Sequence, residues 1–143
     1  MGAELAVPVA ILVGQPSSAM GRVLGGGVEL MLSTDIRIAA PHARFGLPEV
    51  RWSIDPFGGA TVKPVQPIGY VNAMDLLLTG RLVDANFAQS IGLINEVVAA
   101  EDVLNKALDR AQLIAANSPS AVQAVKQQIS ATIADHTMSR EAL

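Results

Sequence analysis

Four prolines, Pro48, Pro56, Pro64 and Pro67, fall with Gly58 and Gly59 inside one short stretch of the chain. Proline fixes φ and removes a backbone donor, so no long regular element crosses that stretch. The chain is thereby divided. Before the stretch the order reads strand, loop, helix, strand; after it the order is mostly helical. Val7 to Val13 is an apolar run of strand length that ends at Gly14. Gln15-Pro16-Ser17-Ser18 has loop composition. Gly25-Gly26-Gly27 then open a short helix over Val28 to Leu32, and Asp35 to Ala40 alternates polar and apolar as a strand closed by Pro41.

Beyond the proline stretch, Gly69 to Leu78 reads as a helix that stops at Gly80. Asp84 is the N-cap of another, with Gly92 at its C′ position. Leu93 to Val98 is a short strand. Glu101 and Asp102 begin a helix that reaches about Ala116, with both acids near its positive end. Ser118 and Pro119 restart a helix as cap and first residue, and it runs to about Ala134. Leu104, Ala107, Leu108, Ala111 and Ile114 recur at three and four, which reads as a core-facing stripe.

Composition narrows the function classes. The 143 residues amount to one domain, half of them hydrophobic, with only one Trp, one Tyr and three Phe, so the core is aliphatic. Ten Lys+Arg against thirteen Asp+Glu give a net charge of −3, which argues against broad nucleic-acid binding and against disorder. No cysteine is present, so disulfides, thiolate metal sites and a cysteine nucleophile are excluded. Two widely separated histidines do not suggest a metal site. The longest purely apolar run, Val9 to Val13, is far short of the ~20 residues a membrane helix needs. Residues 1–20 lack a basic start and carry Pro8, so they read as a buried strand rather than a secretion signal. A soluble, cytoplasmic protein is the expectation.

Two segments carry chemistry: Leu24-Gly25-Gly26-Gly27-Val28-Glu29-Leu30 and Phe45-Gly46-Leu47-Pro48-Glu49-Val50. A glycine run at a helix start exposes N–H donors to a ligand and can stabilise an anionic oxygen. The spacing fits neither a dinucleotide fingerprint nor a P-loop. Glu29 lies in an otherwise apolar helix, and Glu49 stands between Leu47 and Val50. A carboxylate in such surroundings is costly unless it is solvated, hydrogen-bonded or in use. Two such acids beside an anion site are the parts for acid/base work on a carbonyl compound.

These residues resemble the crotonase (enoyl-CoA hydratase/isomerase) superfamily. The likeness continues through Asp35-Ile36-Arg37-Ile38-Ala39, Pro56-Phe57-Gly58-Gly59-Ala60-Thr61, Ala73 to Gly80, Ile91 to Val98 and Ala115-Ala116-Asn117-Ser118-Pro119. The resemblance implies an α/β fold, a partial ββα spiral core over residues 1–80 followed by a helical part over 81–143, in one continuous domain. It implies an acyl-CoA thioester as substrate, coenzyme A entering only as part of it, with no metal or separate cofactor. It implies a homo-oligomer, a trimer or hexamer, and no nucleic-acid or membrane partner. Gly26 matches a backbone donor to the thioester oxygen, with Gly25 beside it, and Phe57 and Gly58 fall on the substrate side. Glu29 and Glu49 match the two acids that deliver water across the double bond in the hydratases. Either can be the acid and the other the base. A double-bond isomerase using one Glu, or a catalytically silent, oligomerising fragment, are the alternatives. Family members are nearly twice this length. Relative to them, about the first third of the fold and the last helices are expected to be lacking.

The remaining candidates read as structural. His42 is expected on the surface and His136 in a polar tail after the last helix. Trp52 is expected in the core, Asp55 in a turn before Pro56. Arg51 and Lys63 are expected as solvated charges rather than contacts to CoA phosphates, and Arg81 as a helix-terminus charge.

Overall fold

A computed structural model describes residues 11–14, 22–24, 26–52 and 65–141 of the chain. Its first four strands alternate between two sheets. β1 (Ile11–Gly14), β3 (Ile36–Ala39) and β6 (Glu96–Val97) form one, in the order β1-β3-β6 and parallel throughout. β2 (Arg22–Leu24), β4 (Arg44–Gly46) and β5 (Val83–Asp84) form the other, with β2 and β4 parallel and β5 antiparallel to β4. Parallel neighbours need a crossover connection. Here α1 (Gly26–Leu32) supplies it, so that β1-β2-α1 is followed by β3-β4 laid one strand further along each sheet. This is the expected ββα spiral.

Side-chain alternation on β3 explains where the core lies. Ile36 and Ile38 pack in one cluster with Ala40, Val103 and Ala107, whereas Ala39, between Ile38 and Ala40, belongs to the other. Successive strand residues point to opposite faces, so a strand covered on both sides feeds two clusters. The larger cluster joins Val28 and Met31 of α1 to Phe45, Leu47, Ile68, Leu76, Leu93 and Ile94. Each large apolar side chain fully buried there contributes about 1.5–3 kcal/mol.

The helix ends follow their local chemistry. α2 (Val65–Thr79) breaks at Gly69, which has φ 74° and ψ 165°, so its regular part starts where the glycine was expected to open it. It stops at Gly80, which has φ 58°. Asp84 caps α3 (Ala85–Ser90) by accepting a 2.8 Å hydrogen bond from the Phe87 N–H. At the other end Gly92, at φ 82°, donates to the Gln89 carbonyl, and the Leu93 N–H donates to that of Ala88 at 2.9 Å. Those two bonds are the Schellman closure that a C′ glycine allows.

Several elements differ from expectation. The strand foreseen over Leu93 to Val98 is reduced to Glu96–Val97, because the N–H groups of both Leu93 and Ile94 are taken by the Ala88 carbonyl. Glu101 and Asp102 lie in a 3-10 turn, Ala100–Asp102, before α4 (Val103–Ala115), since the Asp102 N–H bonds back to Ala99. Of the expected stripe on α4, Ala107 is buried and Ile114 half-buried, but Leu104 is 58% exposed, Leu108 51%, and Ala111 is also exposed. Val103, outside that stripe, is buried instead, because Val103 and Ala107 are the pair that meets Ile38 and Ala40. α5 (Pro119–Glu141) extends past Ala134, so His136 lies within the helix rather than beyond it. Of the strand foreseen over Val7 to Val13, residues 7–10 lie outside the described residues.

By contacts the described residues form two compact units, one reaching as far as Leu108 and one starting at Asp109. The first holds both sheets and α1 to α3. Within it β5 and β6 pair with β4 and β3. In the second, the described residues form the end of α4, the turn after it and α5. The Asn117 N–H closes that turn on the Ile114 carbonyl at 3.1 Å.

Replacing the α3 cap, Asp84→Ala, is expected to lower stability by about 1 kcal/mol. Urea denaturation reads this as an earlier midpoint with unchanged slope, and Asp84→Asn should restore most of it.

Candidate active site

The site is set by the segments that leave two adjacent parallel strands. β2 and β4 pair in the register Arg22↔Arg44, Val23↔Phe45, Leu24↔Gly46. From Leu24 the chain passes into α1 at Gly26; from Gly46 it passes into a 3-10 helix at Pro48. The two helices therefore start two residues beyond one paired level, on strands about 4.8 Å apart. Glu29 belongs to the first of these helices and Glu49 to the second, Pro48–Trp52. The carboxyl ends of parallel strands are where α/β sheets present their ligand sites. The elements that carry Gly26, Glu29 and Glu49 thus leave one sheet at the same end. Gly25, Phe57 and Gly58 lie outside the described residues, as do Asp55 and Lys63.

Glu49 is half-buried, and its Oε2 is wholly enclosed with no hydrogen-bond partner among the described residues. An enclosed carboxylate oxygen without a partner costs free energy. Such an atom calls for a water or a ligand group.

The element bearing Glu49 is held from below by close packing. A Cβ on Gly46 would lie 2.6 Å from Leu82 Cδ2 and 3.0 Å from the Arg81 carbonyl oxygen. A Cβ on Gly80 would lie 3.2 Å from both Val50 Cγ2 and Arg51 Cγ. Glycine at 46 lets the segment after α2 press against β4, and glycine at 80 lets the 3-10 helix sit on the end of α2. No residue of that 3-10 helix is buried. Trp52 accordingly is 74% exposed, not in the core where it was expected, because the helix passes over the sheet end instead of into the cluster.

The other charged candidates resolve as structural. Arg81 donates from Nε at 3.0 Å and Nη2 at 2.6 Å to Asp75 Oδ2, and its guanidinium lies 4.8 Å from the Phe87 ring centroid. The hydrogen bond from Arg81 holds the Asp75 carboxyl below its ordinary pKa. His42 and Arg51 are exposed, as expected.

Arg37 is the residue whose part the sequence did not reveal. It shares the polar register of a strand, yet it is half-buried and binds three backbone carbonyls: Met31 from Nε (3.0 Å), Leu93 from Nη1 (3.1 Å) and Thr34 from Nη2 (2.8 Å). Burial lowers its pKa, and the Asp35 carboxylate opposes that shift. The available signal was a guanidinium between two isoleucines, Ile36 and Ile38, on a strand covered on both sides.

Residues 16–142 match the family model described as enoyl-CoA hydratase/isomerase. The chain belongs to that family. Among its relatives, enoyl-CoA hydratase EchA19 of Mycobacterium tuberculosis is 46% identical over 112 residues, covering 78% of this chain and 42% of the relative. The short-chain-enoyl-CoA hydratase of Clostridium acetobutylicum is 42% identical, over 76% of this chain and 42% of its own length. Among solved structures, an enoyl-CoA hydratase from M. tuberculosis H37Rv superposes with a TM-score of 0.78 at 34% identity, covering 83% of this chain and 54% of that one. A putative enoyl-CoA hydratase/isomerase from Mycobacterium abscessus gives 0.74 at 41% identity, covering 78% and 46%. The chain therefore has the crotonase fold and spans less than half the length of these curated relatives.

Two outcomes are expected from this geometry. Gly46→Ala should destabilise the protein by about 1–3 kcal/mol, because Leu82 can turn away but the Arg81 carbonyl cannot; a thermal melt reads the loss. The native Asp75 pKa lies below its unfolded value, so its pairing stabilises the protein above about pH 4. That contribution fades as pH falls through the lowered native value, and Asp75→Asn should flatten this part of the acid-denaturation curve.

Proposed function

We propose that the chain hydrates the 2,3 double bond of an enoyl-CoA thioester, with Glu29 and Glu49 as the acid/base pair and the Gly26 N–H as a donor to the thioester oxygen. The observation that carries this reading is the β2–β4 register, which gives the segments of Gly26, Glu29 and Glu49 a common exit from one sheet. The Oε2 of Glu49 supports it in that no protein group among the described residues takes its hydrogen bond. Membership of the family supports the substrate class.

The chemistry is balanced by these groups. One carboxylate takes a proton from water as the hydroxyl adds to the β-carbon. Negative charge passes to the thioester oxygen, where an aimed N–H donor is worth ~3–4 kcal/mol. The other carboxyl, protonated, delivers a proton to the α-carbon, and one water is consumed in all. Coenzyme A is part of the substrate, and the chemistry calls for no redox change.

A second reading keeps the fold without the activity. The chain covers only 42% of its relative EchA19, which favours an oligomerising module of the same family as the alternative. Both readings accommodate self-association as a trimer or hexamer.

Loss of the conjugated enoyl-thioester absorbance of crotonyl-CoA separates the two. Turnover by the purified chain is expected, and Glu29→Gln and Glu49→Gln should each reduce kcat by about 10²-fold or more. A folded chain that neither consumes crotonyl-CoA nor binds an acyl-CoA supports the second reading. Turnover that survives both substitutions within a few-fold overturns the assignment of the two acids.

A further inference from the structure

α1 has seven residues, less than two turns, and a helix that short has little stability of its own. Its place is fixed by the contacts that hold its faces and ends. Val28 and Met31 are buried in the larger cluster. Its exit is held differently. The Met31 carbonyl accepts from the Thr34 hydroxyl at 2.6 Å, from the Thr34 N–H at 3.0 Å and from Arg37 Nε at 3.0 Å. The Thr34 carbonyl accepts from Arg37 Nη2 at 2.8 Å. The same guanidinium reaches across to the Leu93 carbonyl at 3.1 Å. The Arg37 backbone is itself tied to Asn95, whose Oδ1 accepts from the Arg37 N–H at 2.8 Å and whose N–H donates to the Arg37 carbonyl at 2.9 Å.

We propose that Arg37 is a positioning residue for the reaction: its guanidinium fork fastens the exit of α1 to the segment after α3, and so sets where Gly26 and Glu29 stand. This rests on the functional reading above. The planar fork matters because the three carbonyls are met by donors on three separate nitrogens in fixed geometry, whereas the three donors of an ammonium share one nitrogen. The strand interior places Arg37 on the same face as Ala39, toward the cluster that contains Met31 and Leu93. A guanidinium there has no role in filling the core that a methionine could not take. It adds direction, through bonds to two elements that are distant in sequence.

The test joins kinetics to hydrogen exchange, using the whole chain. In Arg37→Lys, kcat for crotonyl-CoA should fall by about 10²-fold with KM changed far less, since a displaced helix costs geometry rather than binding. Exchange over residues 26–35 should accelerate about tenfold or more, while that of α4, residues 103–115, stays as in the wild type. A purely structural role would move both regions together and reduce activity only in proportion to the folded fraction, and that result overturns the proposal. Unchanged exchange over residues 26–35 also overturns it, whatever the rate. A wild-type chain without hydratase activity overturns the functional reading, and the proposal with it; the exchange difference then distinguishes that failure from a failure of the clamp. The wild type supplies a check that needs no substitution: the Arg37 Nε proton should exchange much more slowly than that of exposed Arg51, and equal rates overturn the clamp.

Discussion

The three-residue parallel pairing of β2 with β4 is the constraint that sets the candidate site. Phe45 lies in the middle of that register, opposite Val23, and is the largest of the fully buried side chains among the described residues. A slip by one residue would turn Phe45 out of the larger cluster and bring the exposed Arg44 into it. The hydrophobic effect therefore fixes a backbone register. That register fixes the level at which the chain leaves the sheet for α1 and for the 3-10 helix of Glu49. No polar contact between the two acids is required for them to share one end of the sheet. Their placement is inherited from the burial of one aromatic ring, which follows Glu29 and precedes Glu49 in the chain.

β3 shows how the same economy serves the other sheet. Ile38 and Ala39 are each about 1% exposed, in different clusters. A strand of this kind has no solvent face on which to put a charge. The guanidinium of Arg37 is tolerated because its donors meet backbone carbonyls at the end of α1, in the turn after it and in the Schellman loop after α3. Paired donors of this kind hold best where water is scarce, since each unpaired partner left behind would bear its own desolvation cost. The half-buried arginine and the helix ends it binds thus account for one another.

Much of this was legible in the sequence where the signal is local. Asp84, Gly92, Gly80 and Pro119 mark helix ends through their own dihedral preferences and hydrogen bonds, and all four act at the positions they announce. The spiral order and the family likewise emerge from ordered motifs. The features that the sequence hid depend on partners remote in the chain. Leu104 and Leu108 have the spacing of a core stripe, but the docked face of α4 is decided by Ile38 and Ala40, more than sixty residues earlier. Trp52 has a core residue's chemistry, but the path of its helix across the sheet end exposes it. Arg37 looked like one polar position in an alternating strand, because alternation does not say whether the second face is also covered. For the site, the register explains the common location of the Glu29 and Glu49 segments, which the sequence indicated only through resemblance.

The two acids stand on supports of unequal stiffness, and this bears on how such a site works. Glu29 belongs to a helix anchored by Val28 and Met31 in the core and by hydrogen bonds at its exit. Glu49 belongs to a five-residue 3-10 helix with no buried residue, steadied by its seat on Gly80. Core packing resists displacement steeply, whereas the 3-10 helix buries none of its residues and is held by its seat on the end of α2. In the proposed hydration, a pair that holds one water against a flat substrate benefits from one fixed member, so that the geometry at the reacting carbon is set once. Under that proposal Glu29, on the core-anchored helix, is the reference point of the pair, and Glu49, on the exposed 3-10 helix, is the member that adjusts.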